Sequence, residues 1–208
     1  WLALVLISVL ICGITLNVRA EEKSGRSGYI EPKLVFPVIS DVHIKETGTL
    51  DLRTFQHALT QLNEQAPKQD AFVVVGDLAD TGALKEYDRF FSIYNQNKQP
   101  QAVSLFTIGN HEYRDSVTNQ QAQQRFLSKT KMKSLYFHQV IKGYHFIMLG
   151  TESRLTAGDY SIKQINWLAE QLKIAKRDDP KKPIFVFIHQ PINNTLYEKN
   201  RWGIEVNE

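Results

Sequence analysis

The chain has 208 residues, 42% hydrophobic and 23% charged, which is globular composition with length for one domain plus a short appendage. Its net charge of +3 is too mild for nucleic-acid duplex binding, and no Lys/Arg block interleaved with aromatics occurs. The single cysteine, Cys12, lies in the N-terminal apolar run, which excludes a structural disulfide or a thiolate metal site in the remainder.

Trp1 to Val18 carries no charge, and Val18-Arg-Ala20 then offers small residues where a signal peptidase reads. Glu21 to Gly28 follows as a polar spacer. The pattern predicts a secretory signal peptide over residues 1–20 and a flexible spacer over 21–33. The rival is an uncleaved anchor through residues 1–18, since that run approaches the roughly 20 residues needed to span a bilayer. Either reading makes the protein secreted or extracytoplasmic, with membrane contact only through this segment. An initiating Met and a charged leader start are missing, so the chain reads as truncated there.

Leu34-Val-Phe-Pro-Val-Ile-Ser40 predicts a first buried strand, with Pro37 its one blemish, running into Asp41-Val-His43. Leu52, Phe55, Ala58, Leu59 and Leu62 recur at helical spacing, with Asp51 as the candidate cap and Pro67 as the stop. Ala71–Gly76 is a β-branched run ending abruptly in Asp77 and Asp80. A second helix carries Leu84, Tyr87, Phe90, Phe91 and Tyr94 on one face, and Val103–Ile108 is a third strand ending in Gly109-Asn-His-Glu112. Strand alternating with helix argues for a sheet with helices packed outside it.

Arg114–Lys133 is polar and Gln-rich, which fits a surface helix or excursion. Leu135–Ile141 and Tyr144–Leu149, joined by Lys142-Gly143, read as a hairpin. Ile162, Ile165, Leu168, Leu172 and Ala175 mark a third predicted helix, and Pro183–Ile188 another buried strand ending in His189-Gln-Pro191. Asn193–Glu208 is polar and includes the glycosylation-type triplet Asn193-Asn-Thr195.

Four apolar strands therefore end in Asp41-x-His43, Gly76-Asp77-x-x-Asp80, Gly109-Asn110-His111-Glu112 and His189. As neighbours they would bring imidazole, carboxylate and amide groups to one sheet edge, where ligands of open α/β folds collect. That borderline-hard set suits Mn, Fe or Zn. A central carboxylate can bridge two cations roughly 3.5–4 Å apart, the arrangement of two-metal phosphoryl-transfer enzymes. Taken singly, Asp41 reads as a turn residue, His43 as a surface histidine, Asn110 as a left-handed turn former and His189 as a buried ring bonded to a carbonyl. Recurrence at four strand ends in order is what argues for a metal site. His57, His138 and His145 sit off this edge and read as structural.

These four blocks, with Val186-x-x-His189 as the last, resemble the first four blocks of the calcineurin-like metallophosphoesterase family, from about Leu34 to Pro191. The resemblance implies an α/β fold, a calcineurin-like sandwich of two mixed β-sheets flanked by helices, over residues 34–208. It implies that Asp41 and His43 hold a first metal, that Asp77 bridges, and that Asn110 and His189 hold a second. His111 would act as acid beside the substrate phosphate with Asp80 orienting its ring, and Glu112 would stand behind the ligands. The implied reaction is hydrolysis of a phosphate mono- or diester by a hydroxide activated between two ions.

Two departures from the family pattern matter. Asp80 and His43 stand where purple acid phosphatases carry Tyr and Gly, which argues against a tyrosinate-iron site. The family's closing Gly-His-x-His block does not follow His189, so each metal lacks one ligand and the domain reads as incomplete at its C-terminus. The alternative expectation is a non-catalytic surface or binding module on a degenerate scaffold. The segments expected to set specificity are Arg114–Lys133 and Asn193–Glu208.

Overall fold

The apolar runs become strands and the amphipathic runs helices in the computed structural model, which describes residues 31–115, 117–154 and 160–190. The leader segment 1–20, most of the spacer, and the polar stretch Asn193–Glu208 lie outside the described residues. Among the described residues no helix is long and apolar enough to cross a membrane.

Among the described residues six strands and four α-helices follow in order: β1 (Val38–Ile39), α1 (Leu50–Gln65), β2 (Ala71–Val75), α2 (Leu84–Asn97), β3 (Val103–Thr107), α3 (Asn119–Thr130), β4 (Phe137–Ile141), β5 (Tyr144–Met148), α4 (Ile162–Asp178) and β6 (Ile184–Phe187). They form two three-stranded sheets, ordered β1-β2-β3 and β4-β5-β6. The first is parallel throughout its described strands. The second is mixed, with β4 antiparallel and β6 parallel to β5.

Alternation along the strands decides what each face meets. Ala71, Val73 and Leu105 point from the first sheet into a core shared with Ile141, Phe146 and Met148 of the second. Phe72, Val74 and Phe106 point the other way, onto Phe55 and Leu59 of α1, Phe90 and Tyr94 of α2 and Phe126 of α3. Each such ring contributes about 1.5–3 kcal/mol by leaving water. Phe90 stacks on Phe55 at 4.8 Å between ring centroids, and on the other side meets Tyr94 at 5.8 Å.

Local rules place the element ends. The first strand is shorter than the apolar run because Pro37 has no N–H for the ladder; its carbonyl still accepts from Val73 N at 3.0 Å. Thr49, not Asp51, is the residue before α1, and Asp51 Oδ2 instead accepts from Lys45 N at 2.7 Å. Thr118 and Gln121 cap α3 reciprocally. At the hairpin, Lys142 and Gly143 adopt φ of 51° and 73°, the paired left-handed conformations of a tight type I′ turn. The periodic face of α4 is only partly used: Ile162 is 79% exposed, whereas Gln164 is fully buried. Gln164 bonds both main-chain groups of Gly150, donating to its O and accepting from its N at 3.0 Å each, and this tie fixes the rotation of the helix.

Candidate metal centre

The first sheet delivers its strand ends into two loops that run side by side. His43 N donates to Asp77 O at 3.0 Å, Ile44 N to Leu78 O at 3.1 Å and Asp80 N back to Ile44 O at 3.0 Å. The chain turns sharply to do this: Asp41, His43 and Asp77 hold φ of 56°, 48° and 54°. Left-handed backbone costs a non-glycine residue about 1 kcal/mol or more. Three such residues on facing loops aim their side chains at one point.

Asp77 occupies that point and is 2% exposed. Its Oδ1 accepts from His111 N at 3.0 Å and lies 3.3 Å from His189 Nε2. Its Oδ2 faces the other way, 3.7 Å from His43 Nε2 and 3.8 Å from His111 Nε2. Two groups of donors form around the two oxygens. On one side Asp41, His43 and Asp77 present ligand atoms within 4.8 Å of one another, with Asp41 Oδ1 3.6 Å from His43 Nε2. On the other, Asn110 Oδ1 lies 3.1 Å from His189 Nε2 beside Asp77 Oδ1. Donors bound to one ion at about 2.0–2.2 Å stand roughly 3–3.5 Å apart; the separations from His189 fall in that range and those of the Asp41 and His43 group are slightly wider.

The rings are held for this task. His189 Nδ1 donates to Val75 O at 2.8 Å, which leaves Nε2 turned to Asp77 and Asn110. Gly76 makes room, because a Cβ there would sit 2.4 Å from the His189 ring. His111 Nδ1 donates to the main-chain O of Asp80 at 2.8 Å, which turns its Nε2 inward. The Asp80 carboxylate stands off, with Oδ1 3.8 Å from His111 Nδ1 and 3.7 Å from His43 Nδ1. The His43 atom is buried without a hydrogen-bond partner. His43, Asp80 and His111 form a second group of candidate ligands in their own right.

The protonation balance follows from these contacts. The His43 ring beside it lowers Asp41 to about 2, burial opposing it, and the same contact raises His43. Burial pulls His189 down, but its bond to Asp77 and that carboxylate's charge prevail and lift it to about 9. Burial acts upward on Asp77 and is outweighed by His189, so the carboxyl ends lowered. His111 is lowered chiefly by burial. Burial, then the charge of Asp77, pushes Glu112 up to about 7.

All seven predicted site residues thus meet at one place, but not at one sheet edge: six follow strands of the first sheet and His189 follows β6 of the second, and the residues read as structural lie elsewhere. His57 is exposed on α1. His138 Nε2 and His145 Nδ1 bond each other at 2.8 Å and reach Gln171 and Asp178, tying the hairpin to α4. No motif announces the cavity of about 550 Å³ beside Asp41 and His43, lined by Val42, Lys45, Thr47, Phe55 and Ala58. Its signal was only a short polar loop entering α1.

Comparison with known proteins agrees with this geometry. Residues 35–207 match the family model described as calcineurin-like phosphoesterase. A "Probable glycerophosphodiester phosphodiesterase" of Arcobacter nitrofigilis is 25% identical over 163 residues, 74% of this chain and 55% of that protein. A "cAMP/cGMP dual specificity phosphodiesterase" of Mycobacterium tuberculosis is 29% identical over 175 residues, 79% of this chain and 52% of that protein. The chain spans about half the length of these curated relatives. A sandwich carrying paired donor groups at its strand ends defines a phosphoesterase class, and the chain belongs to the calcineurin-like phosphoesterase family.

Proposed function

We propose that the protein is an exported phosphoesterase that uses two metal ions to hydrolyse a phosphate mono- or diester, with a diester as the preferred class. The observation that carries this reading is Asp77, whose two carboxylate oxygens each face a separate donor group. Both curated relatives bear phosphodiesterase names, which favours the diester. Asp41, His43 and Asp77 would hold one ion, and Asp77, Asn110 and His189 the other, with Mn, Fe or Zn suited to the donors. When bound, the ions supply Lewis-acid chemistry, polarising phosphoryl oxygens and making water a competent nucleophile at neutral pH.

The chain's own residues do the rest. Asp77 fixes the spacing of the two donor groups because its amide, carboxylate and neighbours are all bonded within the fold. His111, held through Nδ1, presents Nε2 toward the same space and, as the imidazolium, would give its Nε2 proton to the departing oxygen. The cavity beside Asp41 offers room for the group the phosphate carries. Binding energy gathered there would orient the ester for in-line displacement.

The test is turnover of bis(p-nitrophenyl) phosphate and p-nitrophenyl phosphate by the full-length protein with Mn²⁺. Metal-dependent turnover, faster on the diester and lost at least about a hundredfold in Asp77→Ala, is the expected result. Absence of turnover on both, together with failure to take up two cations, would instead leave a non-catalytic binding module.

A further inference from the structure

We infer that Glu112 is a positioning residue of the metal centre, setting the separation of its two ligand loops by accepting three main-chain N–H groups. The inference rests on the reading of Asp77, Asn110 and His189 as ligands and concerns what places them. Glu112 is fully buried, and both of its oxygens are committed. Oε2 accepts from Asp77 N at 3.0 Å and from Gly109 N at 2.7 Å. Oε1 accepts from Ala79 N at 3.1 Å. Two of these donors belong to the loop after β2 and one to the loop after β3. One donor is the amide of the central ligand itself, and another immediately precedes Asn110.

The arrangement is reciprocal. Glu112, from the second loop, takes the amide of Asp77; Asp77, from the first, takes the amide of His111 at 3.0 Å. Two carboxylates thus lace the loops in opposite directions. They draw them close enough that a Cβ on Gly109 would lie 2.2 Å from Asp77 Oδ1. The far end of the first loop is held by a like device: Glu86 Oε2 accepts from Thr81 N at 2.8 Å, Gly82 N at 3.0 Å and Ala83 N at 3.2 Å.

Only an acceptor without donors can do this. A glutamine in place of Glu112 would turn an NH₂ onto at least one main-chain N–H, leaving it unpaired in a dry site.

Two measurements on the full-length protein decide the matter. The first is hydrogen exchange of the chelated wild type with and without Mn²⁺. Slow exchange at the Asp77, Ala79 and Gly109 amides in both states is expected of loops set in advance. Fast exchange without Mn²⁺ and protection only with it would overturn the inference. The second is Mn²⁺ titration of Glu112→Gln beside Glu86→Gln and Asp77→Asn. Glu112→Gln should keep its far-ultraviolet circular dichroism yet bind Mn²⁺ about 10–100-fold more weakly, with upfield movement of the three amide proton resonances. Wild-type affinity in folded Glu112→Gln overturns the inference, and so does failure of that variant to fold, which would make Glu112 a residue of the fold at large. Wild-type affinity in Asp77→Asn would sink the ligand reading instead, so the two failures are distinguishable.

Discussion

The ring of His111 is oriented by the main chain of Asp80: its Nδ1 donates to Asp80 O at 2.8 Å while the carboxylate of that residue lies 3.8 Å away. A side-chain substitution at 80 therefore leaves the orienting bond in place. Asp80→Asn is expected to preserve the His111 tautomer, seen as an unchanged Nδ1–H resonance. Its loss of turnover should be smaller than that of His111→Asn, for which about 10²–10⁴-fold is expected of a lost proton donor. The carboxylate lies about as far from His43 Nδ1, at 3.7 Å, and that atom is otherwise unpartnered. A drop in Mn²⁺ affinity in Asp80→Asn, measured by titration calorimetry, is the accompanying outcome. Collapse of turnover to the His111→Asn level with unchanged metal affinity would count against this division of labour.

Gly109 tests how tightly the ligand loops must approach. A methyl group there meets Asp77 Oδ1 at 2.2 Å and Asp77 N at 2.7 Å, atoms that cannot retreat because Glu112 and His111 hold them. Gly109→Ala should cost about 1–3 kcal/mol of stability through overpacking. Displacing the Asp77 carboxylate by about 1 Å should also reduce turnover about a hundredfold. Gly143, in the hairpin turn, supplies the control: its Cβ position meets only the flexible end of Lys182, at 2.7 Å, and Gly143→Asn, a residue tolerant of positive φ, should leave turnover within about twofold.

The core between the sheets makes a separate prediction about stability. Phe146 is fully buried and meets Phe36 at 4.9 Å, Phe185 at 5.3 Å and Phe187 at 5.9 Å between centroids. Phe146→Ala is expected to lose about 3–5 kcal/mol in denaturant unfolding, from lost transfer energy and the cavity left behind. No ligand is packed on this ring, so turnover per folded molecule should be little changed.

Much of the centre was legible because each strand announces its own end. A buried β-branched run that stops at Gly76 before Asp77, or at Gly109 before Asn110, declares both the strand and the exposed edge in a few residues. Helix α4 was legible as a helix but not in its rotation. The periodic Ile162 and Ile165 remain largely exposed, because Gln164, between them in sequence, bonds the main chain of Gly150. Glu112 could be placed behind the ligands but not given its task, since two of its three partners are main-chain N–H groups 33 and 35 residues away and carry no side-chain signature. The orienting role of Asp80 O was hidden for the same reason. Side-chain identity is written in the sequence, whereas a carbonyl offered by a turn exists only after the turn has formed.

The pair of Asp77 and His189 gives the pH dependence of metal loading its sign. In the chelated protein His189 is lifted to about 9 from an ordinary 6.5, burial opposing and Asp77 prevailing. A raised folded-state value means that the imidazolium–carboxylate pair contributes stability fully below about pH 6.5 and loses it as pH rises through about 9. Chelated protein should accordingly unfold at lower denaturant concentration at pH 9.5 than at pH 6. A metal ion needs the same Nε2 without its proton, so loading must release that proton. Between pH 9 and pH 7 the apparent affinity of the site should fall about tenfold per unit, and calorimetry in buffers of different ionisation enthalpy should register close to one proton released at pH 7. Affinity independent of pH across that interval would show that His189 is not displaced by the ion. Asp77 would then hold its imidazolium partner in the working protein.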